Sequence, residues 1–580
     1  MGYTRDMIKR ELAALVAEAI ERAQVTAALP QGAVPEILIE PPRRPEWGDY
    51  ACSVALKLQR SLGRPPMEIA SAIAAHLGKA LEERPAEALV VRAVLGVEVA
   101  PPGFLNFHLN PDWLRTQVDA ILAAGPEYGR VPLGGGKRVQ VEYVSANPTG
   151  PLHVGAGRGA ALGDTLANVL ERAGYAVERE YYINDAGSRM EAFNASIYAL
   201  YAQQFGRDEP VPPDGYPGEY MVELARAIAA EHGRRFLELP REEAQRELGR
   251  LGVQGILAAI RDDLAAMGVR FDSWYSEQNL FDRGLVQEAI QLLRERGYVA
   301  EREGAVWFTS SELGEDKDNV LVRSNGVPTY FASDIAYHRD KLVTRGFDLA
   351  IDIWGADHQG HVPRMKAVLA ALGLDPDRLQ VIVYQLVNLV RGGRPVRMGK
   401  RTGTFVTLRE VLQEVGADAV RFFLVARSPD AMMDFDLDLA KEQSAKNPVY
   451  YVQYAHARIA SILRLARERA PQLDPQQGDV RLLQHAAELA LIRKMRQLPE
   501  VVEQAAQALA PHSLPYYAQE LATAFHNFYD TPDCRVLTAD PALSQARLKL
   551  VAACRVVLAN TLALIGVSAP EHMARDTDTL

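Results

Sequence analysis

Residues 139–174 read VQVEYVSANPTGPLHVGAGRGAALGDTLANVLERAG. Val139, Val141 and Tyr143 alternate with polar neighbours, as in a half-buried strand. Asn147-Pro148-Thr149-Gly150-Pro151 is a turn-rich break. Leu162, Leu166, Val169 and Leu170 then share one face of a helix that stops at Gly174. A strand therefore feeds a loop, and the loop opens a helix. In an open α/β sheet this is where ligands bind, and the first helical turn offers free N–H groups to a phosphate. Glycines 155, 157 and 159 suit close approach of a nucleotide, or equally a helix packed tightly on its sheet. The dinucleotide fingerprint fails, because Ala160 stands where a glycine is needed, and no P-loop motif occurs.

Working outward, strand and helix patterns alternate. Ala176 to Ile183 closes a βαβ unit. Asn319–Val322, Leu349–Trp354 and Gln380–Val390 read as further strands, with a helix over 362–372. Tyr330 and Asp334 are four apart and share a helical face. Thr407 and Glu410 form a capping box for the next helix. From Ser444 to Val567 the pattern is helical throughout, as for a bundle. Before all this, helices at Met7–Ala23 and Met67–Leu81 and a strand through Phe104–Leu109 make a small α+β unit. The expected fold class is multidomain: that unit, a Rossmann-type parallel-sheet α/β domain with a helical insertion, and an all-α bundle. The expected domains are 1–112, 113–390 with an insertion over about 188–310, a connecting segment 391–440, and 441–580.

A chain of 580 residues exceeds one core. Its net charge of −10 argues against indiscriminate nucleic-acid binding, although a folded RNA needs only a local basic face. No continuous apolar run approaches the roughly 18 residues of a membrane span, so no membrane partner is expected. Cys52, Cys534 and Cys554 lie too far apart in sequence for a zinc or disulfide pattern, which suits a cytoplasmic protein.

PTGPLHVGAGR, at 148–158, resembles the HIGH signature of class I aminoacyl-tRNA synthetases. EYVSANPTGPLHVG and REYYINDAG are similar to the arginyl enzymes in particular, and Arg397-Met398-Gly399-Lys400-Arg401 resembles their KMSK loop. GDYACSVALKLQR, PGFLNFHL and NPVYYVQYAHARI resemble the N-terminal and anticodon-reading parts of the same family. The resemblance implies ATP-dependent attachment of L-arginine to tRNA(Arg) through arginyl-adenylate, by a monomer. Magnesium arrives with ATP, and no structural metal is bound by the protein. It implies His153 and Lys400 as catalytic groups, helped by Arg397 and Arg401. Pro151, Gly155, Ala156, Gly157, Met398, Arg401 and Asp357 join them around the nucleotide. Glu142, Tyr330 and Asp334 would take the guanidinium, Ser145 and Asn147 the other end of arginine, with His358 close by. Asn106, Phe107, Tyr454 and Tyr529 are candidates for stacking on or bonding to tRNA bases, or equally for core positions. The chain departs from the family at Ala156, where a polar residue is usual, and at Arg397 and Gly399 in the loop. These departures keep a second reading open: a degenerate paralogue that binds tRNA without charging it.

Overall fold

The computed structural model describes residues 8–573 apart from Arg43, Gly187 and residues 397–405. Its centre is a five-stranded parallel sheet. In chain order the sheet and its helices are β1 (Arg138–Glu142), α1 (Val154–Arg172), β2 (Ala176–Ile183), β3 (Ser273–Ser276), α2 (Tyr330–Arg339), β4 (Leu349–Gly355), α3 (Val362–Ala371) and β5 (Leu379–Tyr384). The strand order is β5-β4-β1-β2-β3. The order reverses at β1, between β2 and β4, and an open sheet of this kind offers its binding crevice there, beyond the carboxyl ends.

Two expectations about this domain change. The helical insertion is not continuous over 188–310. Helices Ser188–Gln203, Glu219–His232 and Arg241–Ala266 leave the sheet, but β3 returns to pair with β2 before a small antiparallel sheet forms over 299–322. Gln380–Val390 is not one strand. β5 ends at Tyr384, and β6 (Val387–Arg391) pairs in parallel with β7 (Met433–Asp436) in a separate sheet. The reason is Arg158, fully buried on α1. Its guanidinium donates to the carbonyls of Gln385, Ala431 and Ser428 at 2.7–2.9 Å, which draws the chain away from the main sheet.

The N-terminal unit is a four-stranded antiparallel sheet in which Phe104–Leu109 is an inner strand, paired on both sides. It docks on the C-terminal helices: Asp49 accepts from Arg493 at 2.6 Å, and the buried Tyr50 hydroxyl meets Glu500 and Arg496. Helix Pro541–Ile565 is long and apolar enough to cross a membrane, which qualifies the composition argument above. Two-thirds of its most apolar window is buried among the other helices, as in a bundle core. Its C-terminal carbonyls are held by the middle of α1. Ile565 O accepts from Thr165 at 3.4 Å and from Arg421 at 2.9 Å, and Leu564 O accepts from Asn168 at 3.1 Å. The fully buried Arg421 also pairs with Asp164 of α1.

Candidate active site

β1 is buried on both faces from Val139 to Glu142, its Gln140 donating to Glu180 at 2.8 Å, and the chain then has to leave the sheet for α1. It turns through Val144 and Ser145, both in the left-handed region (φ +69° and +38°). A β-branched residue resists that conformation, so surrounding bonds have to hold it. Ser145 Oγ donates to Glu142 Oε1 at 2.9 Å and accepts from the Tyr182 N–H at 3.1 Å. Asn184 donates to Ser145 O at 3.3 Å, and Tyr181 to Ala146 O at 2.9 Å.

The loop ends at His153, which caps α1. Its Nδ1 accepts from the Ala156 N–H at 3.3 Å, which satisfies one of the free donors of the first turn. The ring lies on Gly155, where an added Cβ would sit 2.9 Å from it. The other two glycines follow the packing alternative. A Cβ on Gly157 would meet Leu408 at 2.7 Å, and one on Gly159 would meet Tyr384 at 3.1 Å. Ala156 is buried. Pro151 and Gly155 are half-buried, and His153 is exposed. Lys400, Met398, Arg401, Arg397 and Gly399 lie outside the described residues. Residues just beyond that loop are anchored here: Thr407 bridges His153, and the Leu408 N–H donates to Leu152 O at 2.8 Å. Thr407 and Glu410 form the expected capping box. The chain that follows the second signature is thus tied to the histidine of the first.

On the other side of β1, acids gather at the carboxyl ends of β2 and β3 and at the start of α2. Tyr330 opens α2 and is exposed, while Asp334 one turn later accepts from His361 Nε2 at 2.9 Å. Asp185 follows β2 and accepts from Ser276 Oγ at 2.6 Å. Glu277 follows β3, is 2% exposed, and its Oε2 has no partner among the described residues. Burial pushes the Glu277 carboxyl up to about 7. Asp334 and Asp185 add to this, against one hydrogen bond from Ser333. The Tyr182 hydroxyl beside these acids is buried and likewise unmatched. Buried polar atoms with no partner among the described residues suit a planar cation that brings many donors.

Glu277 was not found from sequence. WYSEQ carries no motif, and only the neighbouring strands make its position special. His361 was also passed over for His358. His358 and Asp357 are largely exposed and contact each other at 3.5 Å, whereas His361 reaches Asp334. Asn147 is exposed.

Two expectations are corrected. Glu142 is not an open carboxylate beside the guanidinium site: Lys341 Nζ donates to its Oε2 at 2.6 Å and Ser145 occupies Oε1. Asn106 and Phe107 lie on an inner strand of the N-terminal sheet, 4% and 0% exposed, so no base can stack on Phe107 there. Tyr454 and Tyr529 fare differently. Arg458 lies over both rings, at 4.8 and 4.7 Å, and Tyr529 is exposed. That cation between the two rings was not singled out from sequence.

Residues 117–461 match the family model for tRNA synthetases class I (R), catalytic domain. Residues 10–109 match the arginyl tRNA synthetase N terminal domain, and 452–573 the DALR anticodon binding domain. An arginine–tRNA ligase of Dehalococcoides mccartyi is 51% identical over 566 residues, covering 98% of this chain and 99% of its own. The chain belongs to the arginyl-tRNA synthetases. Another arginine–tRNA ligase, from Desulforudis audaxviator, is 50% identical, covering 99% of this chain and 100% of its own. The solved arginyl-tRNA synthetase of Thermus thermophilus superposes with a TM-score of 0.78 at 26% identity, over 98% of this chain and 100% of its own. In this arginyl-tRNA synthetase the capped helix and the acidic cluster lie on opposite sides of β1.

Proposed function

We infer that the chain catalyses ATP-dependent attachment of L-arginine to tRNA, releasing AMP and pyrophosphate. The observation that carries the reading is the acid cluster on one side of β1, where Asp334 and Asp185 flank the buried Glu277, with a capped helix start on the other. In the first step a carboxylate oxygen of arginine attacks the α-phosphorus of ATP, and pyrophosphate leaves. In the second a terminal ribose hydroxyl of tRNA attacks the carbonyl carbon, and AMP leaves. No covalent enzyme intermediate is needed, so catalysis is positioning and charge stabilisation.

The residues support this division of labour. Asp334 and Glu277 give the guanidinium two carboxylates, with Tyr330 at the mouth. Lysine has one ammonium for those acceptors and would leave some unpaired, which is the basis for rejecting it. Ser145 and Asn147 lie on the loop that leads to His153, where the α-amino and carboxylate ends belong. His153 and the N–H groups of the α1 first turn face the phosphates, and Lys400 supplies a cation. Magnesium comes with the nucleotide, held mainly by its phosphates. Tyr454 and Tyr529, with Arg458 between them, offer faces for anticodon bases. The reading carries with it a cytoplasmic enzyme that acts as a monomer.

The paralogue that binds without charging draws no support, since relatives about 50% identical over nearly the whole chain are arginine–tRNA ligases. The deciding experiment is aminoacylation of tRNA with labelled arginine or lysine, with wild type and Lys400→Ala in parallel. Charging with arginine alone, reduced by roughly 10²–10³ in the variant, is the expected result. Tight tRNA binding without charging by wild type would sink the reading.

A further inference from the structure

Below the arginine site lies a buried charge cluster that the chemistry above does not use. Lys341 is on the turn after α2, at Asp340–Thr344, which is π-helical. Such turns are rare and concentrate at functional sites. The Lys341 side chain is wholly buried. Its Nζ donates to Glu142 Oε2 at 2.6 Å and to Asp352 Oδ1 at 2.8 Å, and lies 4.1 Å from the Tyr337 ring centre.

Asp352 has a second partner besides Lys341. His338 Nε2 lies 2.7 Å from the other Asp352 oxygen, and Nδ1 lies 2.7 Å from the Asp334 carbonyl. Asp352 is therefore held from two sides, by His338 on one oxygen and Lys341 on the other. The part of Lys341 that Asp352 leaves unexplained is its bond to Glu142. From Glu142 the chain of bonds continues to Ser145 Oγ and on to the Tyr182 N–H, across the left-handed Val144–Ser145 turn. A buried ion pair is poor at adding stability, because apolar residues of similar size often do as well. What it can fix is geometry.

We propose that Lys341 is a positioning residue for arginine: through Glu142 it locks the Ser145 hydroxyl and the strained turn, and so sets where residues 145–147 meet the amino acid. This rests on the reading of that loop as the binding site for the α-amino and carboxylate ends. The same chain joins the two ends of the arginine site. His338 is bonded to the carbonyl of Asp334, and Lys341 follows three residues later. The guanidinium helix and the amino-acid loop are thereby held at one separation.

The test uses the full-length enzyme in arginine-dependent ATP–pyrophosphate exchange with tRNA present. Lys341→Met should raise KM for arginine by roughly tenfold to a hundredfold, the scale of a misplaced contact. KM for ATP should stay within about twofold, since the nucleotide side of β1 is not touched by the cluster. Adding Glu142→Gln to Lys341→Met should change KM for arginine little further, because both break one chain of bonds. An unchanged KM for arginine, equal rises for both substrates, or full additivity with Glu142→Gln overturns the proposal. Lys341→Met leaves Glu142 buried without its cation. Lys341→Met with Glu142→Gln removes both charges, and it is judged by the same two KM values if the single variant does not fold. A wild-type enzyme that neither exchanges nor charges arginine sinks the functional reading instead, which separates the two failures.

Discussion

Glu142 and Glu277 stand at or just beyond the carboxyl ends of two parallel strands, β1 and β3, both buried, and they have opposite fates. Glu142 is saturated by Lys341 and Ser145. Glu277 has Ser333 for a neighbour, two acids close by, and an oxygen with no partner among the described residues. One carboxylate belongs to the frame, and the other is the one we propose for the guanidinium. Residue type and depth do not separate the two roles; the presence of a resident cation does.

The largest effect should come from treating the framed acid as if it were the free one. Glu142→Gln leaves Lys341 with one carboxylate in place of two. It should cost about 3 kcal/mol or somewhat less of the stability of the catalytic domain, read as earlier unfolding in denaturant. Glu277→Gln should leave unfolding unchanged or slightly later, since a strained buried acid is relieved. A variant pair with these outcomes exchanged would break the comparison.

The next effect is on substrate. Glu277→Gln should raise KM for arginine by roughly 10- to 100-fold, the value of a charge-assisted bond, with KM for ATP unaffected. An enzyme indifferent to this change would mean that Glu277 is not part of the arginine site.

The smallest effect is a pH dependence. In the empty site burial favours protonated Glu277, with its carboxyl pushed up to about 7. The guanidinium favours the anion. Below pH 7 arginine binding has to release that proton, so KM for arginine rises as pH falls, by up to about tenfold per unit, and is flat above it. In Glu277→Gln this slope should be gone. A slope that persists in the variant would assign the titration to another group.

The sequence shows clearly what is encoded locally. The helix opening at His153, the shared face of Tyr330 and Asp334, and the Thr407–Glu410 capping box all follow from spacing within one element. Distant packing is hidden. Glu277 and Lys341 sit in stretches, WYSEQ and DKLVT, that look like any strand end and any helix end. Only the sheet brings them to Asp334 and Glu142. Gln380–Val390 reads as one apolar run, and the bend in it is imposed by Arg158, more than 200 residues earlier. Phe107 alternates like an edge residue, and its second neighbour strand cannot be seen from within PGFLNFHL.

The clasp between the middle of α1 and the end of helix Pro541–Ile565 fixes a phase as well as a contact. His153 stands eleven residues before Asp164, about three helical turns. The tail grips α1 at Thr165 and Asn168, and Arg421 ties its end to Asp164, so His153 points in a direction measured from that grip. One residue inserted between them would keep every tail contact and swing His153 by about 100° around the helix axis. Along this stretch of α1 the length of the chain is therefore as constrained as the identity of its residues.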